Sequence, residues 1–371
     1  MNAPKLRFPE FSGAWPIEVF ASVVERGTDR FNPAKEEASP ILIELENLES
    51  ETGIISGESD LGEQKSIKNV FNSGDVLFGK LRPYLKKFAH PKFAGVCSSE
   101  IWVLKGNGIL NDFLFYFIQG RNFLYLANLS SGSKMPRAEW QVIAESEFFF
   151  PEDENEQQKI AAFLGAVDAK IGQLARKKAL LEDSKKGCMG QLFTQKLRFK
   201  DDQGNDFPDW EEKKLGDVLT IGSGRDYKHL GAGNIPVYGT GGYMLSVDDY
   251  LYDGESVCIG RKGTIDSPAL LNGKFWTVDT LFYTHSYQGV LPRFIFAIFQ
   301  QINWAKYNEA SGVPSLSKAT IEQIAVGIPH PDEQRKIADF LSVIDAKISL
   351  VADELSAAQD FKKGLLQHMF V

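Results

Sequence analysis

The chain has 371 residues, 43% of them hydrophobic and 24% charged, a balance that suits two or three folded units and excludes global disorder. Its formal net charge of −8 excludes a simple DNA-coating protein, so any nucleic-acid role rests on local basic patches or on partners. The longest apolar run, Phe113 to Ile118, falls far short of the ~20 residues of a membrane span, and Met1-Asn2-Ala3-Pro4 lacks a signal-peptide layout; a cytoplasmic protein with no membrane association is expected.

In chain order, residues 1–152 read as a mixed α and β domain. Trp15 leads into a helical turn ending at Ser22-Val23. Gly74 to Lys80 reads as a turn, a short buried strand and a basic exit, and Ser99 to Leu104 as a second strand. Asp112 to Phe117 follows as an apolar helix, and a loop opened by Ser131-Gly132 runs to Pro151. Residues 153–195 then form a long helix whose apolar residues Ile160, Leu164, Val167, Ile171, Leu174 and Leu181, with Lys178 and Lys185 as polar interruptions, fall on steps of three and four, the period of a coiled coil. About 38 residues at 1.5 Å each make a rod of roughly 57 Å. Acidic Glu152, Asp153 and Glu154 at its start suit the helix dipole.

The same order then repeats. Residues 196–330 carry Trp210 before a turn ending at Asp217-Val218, then Gly254 to Arg261 against Gly74 to Lys80. Val278 to Tyr283 stands against Ser99 to Leu104, setting Ile101 opposite Thr280, and Arg293 to Ile298 stands against the apolar helix. Residues 331–371 form the second long helix, with a seam of Ile337, Leu341, Ile344, Ile348, Val351 and Leu355. Gln158 to Leu164 overlies Arg335 to Leu341, and the offset from Ile160 to Ile337, 177 residues, still holds at Lys185-Lys186-Gly187 against Lys362-Lys363-Gly364. Such self-similarity marks a tandem duplication.

The domain between the helices should have its termini close together, so the first helix ends where the second begins and the two run antiparallel with a head near each end. The expected fold class is α/β of the α+β kind: two mixed domains, two long antiparallel coiled-coil helices and pseudo-twofold repetition.

Catalytic patterns are missing from the sequence. No Pro-Pro pair exists to form a methyltransferase base-holding tetrapeptide. Pro208-Asp209 followed by Glu211 and Lys213 is too compact for a metal-dependent nuclease and reads as the polar lead into a helix. Gly254 to Gly260 departs from a phosphate loop at Arg261, and the glycines from Gly222 to Gly242 fit no dinucleotide motif. Five scattered histidines and the unpaired Cys97, Cys188 and Cys258 imply no metal site and no disulfide framework.

Recognition has better candidates. Lys80, Arg82, Lys86, Lys87 and Lys92 form a basic run interleaved with Tyr84, Phe88 and Phe93; Lys134 lies in the later loop. In the second domain Arg225 and Lys228 precede a glycine-rich stretch, Arg261 and Lys262 leave the strand equivalent to the one ending at Lys80, and Ser315 and Lys318 lie in the loop before the second long helix. Cations among aromatics and glycines suit phosphate contacts with a few groups reaching base edges.

With these residues in view, the chain resembles the specificity subunit of a type I restriction-modification system. The resemblance rests on Glu156 to Leu164 and its copy Glu333 to Leu341, on both Lys-Lys-Gly triplets, on Phe207 to Val218, and on Ser311-Gly312-Val313-Pro314-Ser315-Leu316. One departure is that Ser130 to Pro136 lacks the Val-Pro-Ser-Leu order of its counterpart. The resemblance implies two recognition domains that each read half of a split site in double-stranded DNA, with the helices as spacer. It also implies two modification subunits carrying S-adenosylmethionine that methylate adenine, and restriction subunits using ATP and Mg. No cofactor and no catalysis would belong to this chain. Two readings of other classes stay open: a coiled-coil adaptor that never touches DNA, and a single-chain endonuclease or methyltransferase.

A spacer helix acts as a ruler. Inserting one heptad into each long helix should lengthen the gap between half-sites and leave both halves unchanged, as read by selection from random duplexes; a fixed gap would contradict the ruler.

Overall fold

The computed structural model describes residues 3–36, 39–62, 64–129 and 134–371. It divides into two compact units, Met1–Ala175 with Asp353–Val371, and Arg176–Ala352. The long helices α1 (Glu154–Phe193) and α2 (Pro331–Met369) each contribute one end to each unit.

The first unit is built on the antiparallel strands β1 (Val24–Arg26), β2 (Val76–Gly79), β3 (Phe88–Ala89) and β4 (Ile101–Gly106), in the order β1-β4-β2-β3. The second repeats it with β5 (Thr220–Ser223), β6 (Ser256–Gly260), β7 (Ala269–Leu271) and β8 (Leu281–His285), in the order β5-β8-β6-β7. Every residue of β2 and of β6 is buried, which explains the absence of polar alternation in either. Mixed α and β units in tandem are therefore the architecture of the chain.

Two readings need correction in detail. Gly79 pairs with Ile101 and Gly260 with Leu281, so Ile101 matches Leu281 and not Thr280. The turns agree, since the amide of Ile101 donates to Ser98 (3.0 Å) and that of Leu281 to Val278 (2.9 Å). Short strands buried on both faces carry no alternation to set register, so a one-residue slip cannot be seen in the letters. Secondly, Glu211–Lys214, read as the lead into a helix, is a strand paired antiparallel with Ala325–Ile328, all four of its side chains exposed. Its counterpart is Ile17–Val19 against Glu147–Phe149, and the helical turns follow at Leu215–Val218 and Phe20–Val23.

Each core joins a sheet to the helix ends. In the first unit the apolar helix Asn111–Phe117 buries Phe113, Leu114 and Phe117 in one cluster with Ile160, Ala161 and Leu164 of α1 and Leu365 and Met369 of α2. In the second, Pro292–Gln301 buries Phe294, Ile295 and Ile298 with Met189 and Leu192 of α1 and Ile337, Ala338 and Leu341 of α2. The start of one helix thus meets the end of the other in both units, which is antiparallel packing. Ile160, Leu164, Leu174, Ile337, Leu341 and Val351 are buried, while Val167, Ile171, Leu181, Ile344, Ile348 and Leu355 are half-buried.

Lysines interrupt the apolar seam at Lys185 in α1 and Lys362 in α2, and both have acidic partners. Lys362 meets Asp168 at 2.8 Å, and the Tyr116 hydroxyl donates to the same carboxylate at 3.0 Å. Lys185 meets Asp345 at 2.6 Å and also donates to Gln300 at 3.0 Å. Asp168 and Asp345, like Lys185 and Lys362, occupy equivalent positions in the repeat.

The first turn of each long helix is anchored by a buried carboxylate. Glu156, 2% exposed, receives a fork from Arg7 at 2.6 and 2.7 Å and the Trp15 indole at 3.3 Å. Glu333, fully buried, receives a fork from Arg198 at 3.1 and 2.8 Å and the Trp210 indole at 3.2 Å. The adjacent Gln157 and Gln334, also buried, accept the amides of Leu110 and Leu291 and donate to the carbonyls of Pro151 and Pro329.

Removing one partner of a buried ion pair costs more than the pair itself contributes. Arg198→Ala should therefore lower stability by about 3 kcal/mol, with Glu333→Gln added to it recovering part of the loss; urea unfolding of the full chain tests this. Equal stability of Arg198→Ala and the parent would contradict the anchor.

Candidate nucleic-acid interface

Both units build the same edge where the buried strand ends. In the first, the Lys80 amide donates to the Glu100 carbonyl (2.9 Å), the Ala138 amide to Lys80 (2.8 Å) and the Arg82 amide to Pro136 (2.7 Å), with Leu81 bridged to Arg137. In the second, the Arg261 amide donates to Thr280 (2.8 Å), the Leu316 amide to Arg261 (2.9 Å) and the Gly263 amide to Pro314 (2.9 Å), with Lys262 bridged to Ser315. Pro136-Arg137-Ala138 thus takes the place of Pro314-Ser315-Leu316. The first loop reaches it with two more residues after its Ser-Gly pair, which hides the match in a gapless comparison.

The side chains of the first edge are mostly committed within the protein. Lys86 pairs with Glu51 at 2.7 Å, Lys92 with Asp112 at 3.1 Å, and Lys80 lies 3.9 Å from Glu100. Lys87 donates to the Leu45 carbonyl at 2.6 Å, a structural use of its charge. Arg82 and Lys134 are exposed and make no ion pair among the described residues. Arg82 and Lys86 both adopt left-handed backbone, φ 51° and 50°, on either side of the short 3₁₀ turn Pro83–Leu85. A non-glycine residue in that region is strained, and strain of this kind gathers at functional sites. At the tip Tyr84 stands 54% exposed.

On the second edge Arg225, Lys228, Arg261 and Lys262 are exposed, Lys318 is half-buried, and none makes an ion pair among the described residues. Among the described residues the Arg261 guanidinium reaches the Asp279 carbonyl alone, at 3.4 Å. Ser315 is fixed through its backbone, its amide donating to the Asn308 side chain at 2.9 Å. Lys318 opens the turn Lys318–Glu322, capped by Ser317, and burial together with Lys318 holds His285 below the usual imidazole range.

Sequence reasoning missed Glu100 and Arg137. Glu100 accepts a fork from Arg137 at 3.0 Å to each oxygen and lies beside Lys80, and the hydrogen bonds to Glu100 raise the pKa of Arg137. The only signal in the letters was the Ser-Gly and Pro frame shared by both loops. Among the described residues no group of His, Cys, Asp or Glu could hold a metal, and no helix is long and apolar enough to cross a membrane. Burial pushes the thiols of Cys97 and Cys258 up to about 12, far from a reactive thiolate.

A family model described as the type I restriction modification DNA specificity domain matches residues 49–183 and 208–358. The chain is 24% identical over 339 residues to the type I restriction enzyme MjaVIII specificity subunit of Methanocaldococcus jannaschii, covering 80% of this chain and 75% of that one. The EcoprrI specificity subunit of Escherichia coli is 23% identical over 43% of this chain and 41% of its own length. Among solved structures, an S subunit from M. genitalium covers all of this chain and 99% of its own with a TM-score of 0.66 at 17% identity, a likeness of fold.

Each cation that neutralises a phosphate contributes about 0.9 to the slope of log affinity against log salt. Replacing Arg261, Lys262 and Lys318 together by Ala should reduce that slope by roughly two to three, whereas Lys87→Ala should leave it unchanged and lower stability. Binding titrations of duplex DNA over a salt series test both; a slope moved by Lys87→Ala alone would reverse the assignment.

Proposed function

The chain belongs to the type I restriction modification DNA specificity family, and from that premise we propose that each unit reads one half of a bipartite duplex site while the long helices set the gap. Its role is DNA sequence specificity, exercised in assembly with other restriction-modification subunits, and it is not the catalytic chain. The observation that carries the two-half reading is the edge built twice, with a basic strand exit laced to a loop by equivalent hydrogen bonds and with unlike side chains upon it. Like frames with unlike side chains are what two readers of different sequences require.

On this reading residues 1–152 and 196–330 are the recognition domains, and 153–195 and 331–371 the spacer helices. Lys80, Arg82, Tyr84, Lys134, Arg225, Lys228, Arg261, Lys262, Ser315 and Lys318 face the duplex, and Lys86, Lys87 and Lys92 shape the first edge. Two modification subunits dock on the helices, where Leu180, Val343, Leu350 and Phe361 supply exposed apolar surface. Those subunits bring S-adenosylmethionine to adenine, and restriction subunits bring ATP and Mg. A net charge of −8 fits this division, because partners supply much of the phosphate clamp.

Selection from a random duplex pool by the full chain with its modification subunits should recover two short motifs at a fixed separation. The chain alone, given S-adenosylmethionine or Mg, should neither methylate nor cut. Recovery of no motif would favour the adaptor reading, and activity of the isolated chain would overturn the assignment.

A further inference from the structure

The two edges differ at a pair of neighbouring positions. Where the second unit has Thr280 and Ser315, the first has Glu100 and Arg137, joined side-on through Arg137 Nε to Oε2 and Nη2 to Oε1, both at 3.0 Å. Nη1 lies 3.4 Å from the Met135 carbonyl, so the guanidinium plane is held on two sides while the side chain remains 46% exposed. The fork occupies the Nε edge of the group. The other edge, carrying Nη1 and the outer hydrogen of Nη2, retains donors for a second planar partner.

The chemistry of that partner follows from charge. A carboxylate at 3.0 Å repels an incoming phosphate as the guanidinium attracts it, which makes the pair a weak phosphate anchor. A neutral acceptor pair meets no such opposition. Guanine offers one on its major-groove edge, O6 and N7, matched to two parallel N–H donors of arginine. Lys80, 3.9 Å from the same carboxylate, leaves the cluster with one net positive charge and is the member suited to phosphate. Resting on the specificity reading above, we propose that Arg137, held in orientation by Glu100, reads a guanine in the half-site of the first unit.

The test is site selection from random duplexes by the full chain with its modification subunits, comparing the parent with Arg137→Lys, Glu100→Gln and Lys80→Ala. The parent should recover a two-part motif with guanine at one fixed position of the first half. Arg137→Lys keeps the charge and loses the fork, so preference for that guanine should fall roughly 10- to 100-fold, with the second half, the salt slope and the thermal midpoint unchanged. Glu100→Gln should blur the same position and steepen the salt slope by about one, and Lys80→Ala should flatten the slope by about one with the guanine kept. An intact motif in Arg137→Lys would overturn the proposal. So would loss of the entire first half with a lowered thermal midpoint, since the fork would then be a structural staple. A parent that recovers no two-part motif would defeat the underlying reading instead.

Discussion

The structure depends on a carboxylate buried in the first turn of each long helix. Glu156 and Glu333 are out of water, and an ionised carboxylate there is tolerable only with a cation and further donors around it. Arg7 with Trp15, and Arg198 with Trp210, supply both, and each pair lies on the strap of chain that enters the corresponding unit. The neighbouring glutamine ties in the backbone at Leu110 or Leu291, just before the apolar helix that fills the core. A head fastened in this way cannot slide along its helix. The edge at Lys80 to Arg82, or at Arg261 to Gly263, therefore has a fixed place relative to the helix start within each unit.

The duplication divides along the same line. Ion pairs of the helices recur at equivalent positions, Asp168 with Lys362 and Asp345 with Lys185, as do the anchoring carboxylates. The edges share backbone hydrogen bonds and share few side chains. One binds its cations to Glu51, Glu100 and Asp112, while the other leaves Arg225, Lys228, Arg261 and Lys262 without acidic partners among the described residues. A family whose domain description is DNA specificity has cause to keep its frame and vary its reading surface.

What the sequence made legible follows from the range of each signal. The seam from Ile160 to Leu181, and its copy from Ile337 to Leu355, was readable because a 3.5-residue period persists over many turns. The order of strands and helices in the heads was readable by comparing the copies. Register was not: β2 and β6 are apolar throughout, and Glu211–Lys214 is a strand without a buried face. The basic run was visible as letters, but its use was not, since Lys87 serves the Leu45 carbonyl and Lys86 serves Glu51, partners 42 and 35 residues away. Arg7, Arg198 and Arg137 gave no local signal, because each takes its meaning from a carboxylate distant in the chain.

The central claim is that one frame, used twice, carries two independent readers. The most direct measurement replaces residues 1–152 of the full chain by a second copy of 196–330 and selects bound duplexes with the modification subunits present. The account expects a site made of two copies of the half read by the second unit, at the parental separation. Recovery of the parental motif, or of a site bearing no relation to either half, would contradict it.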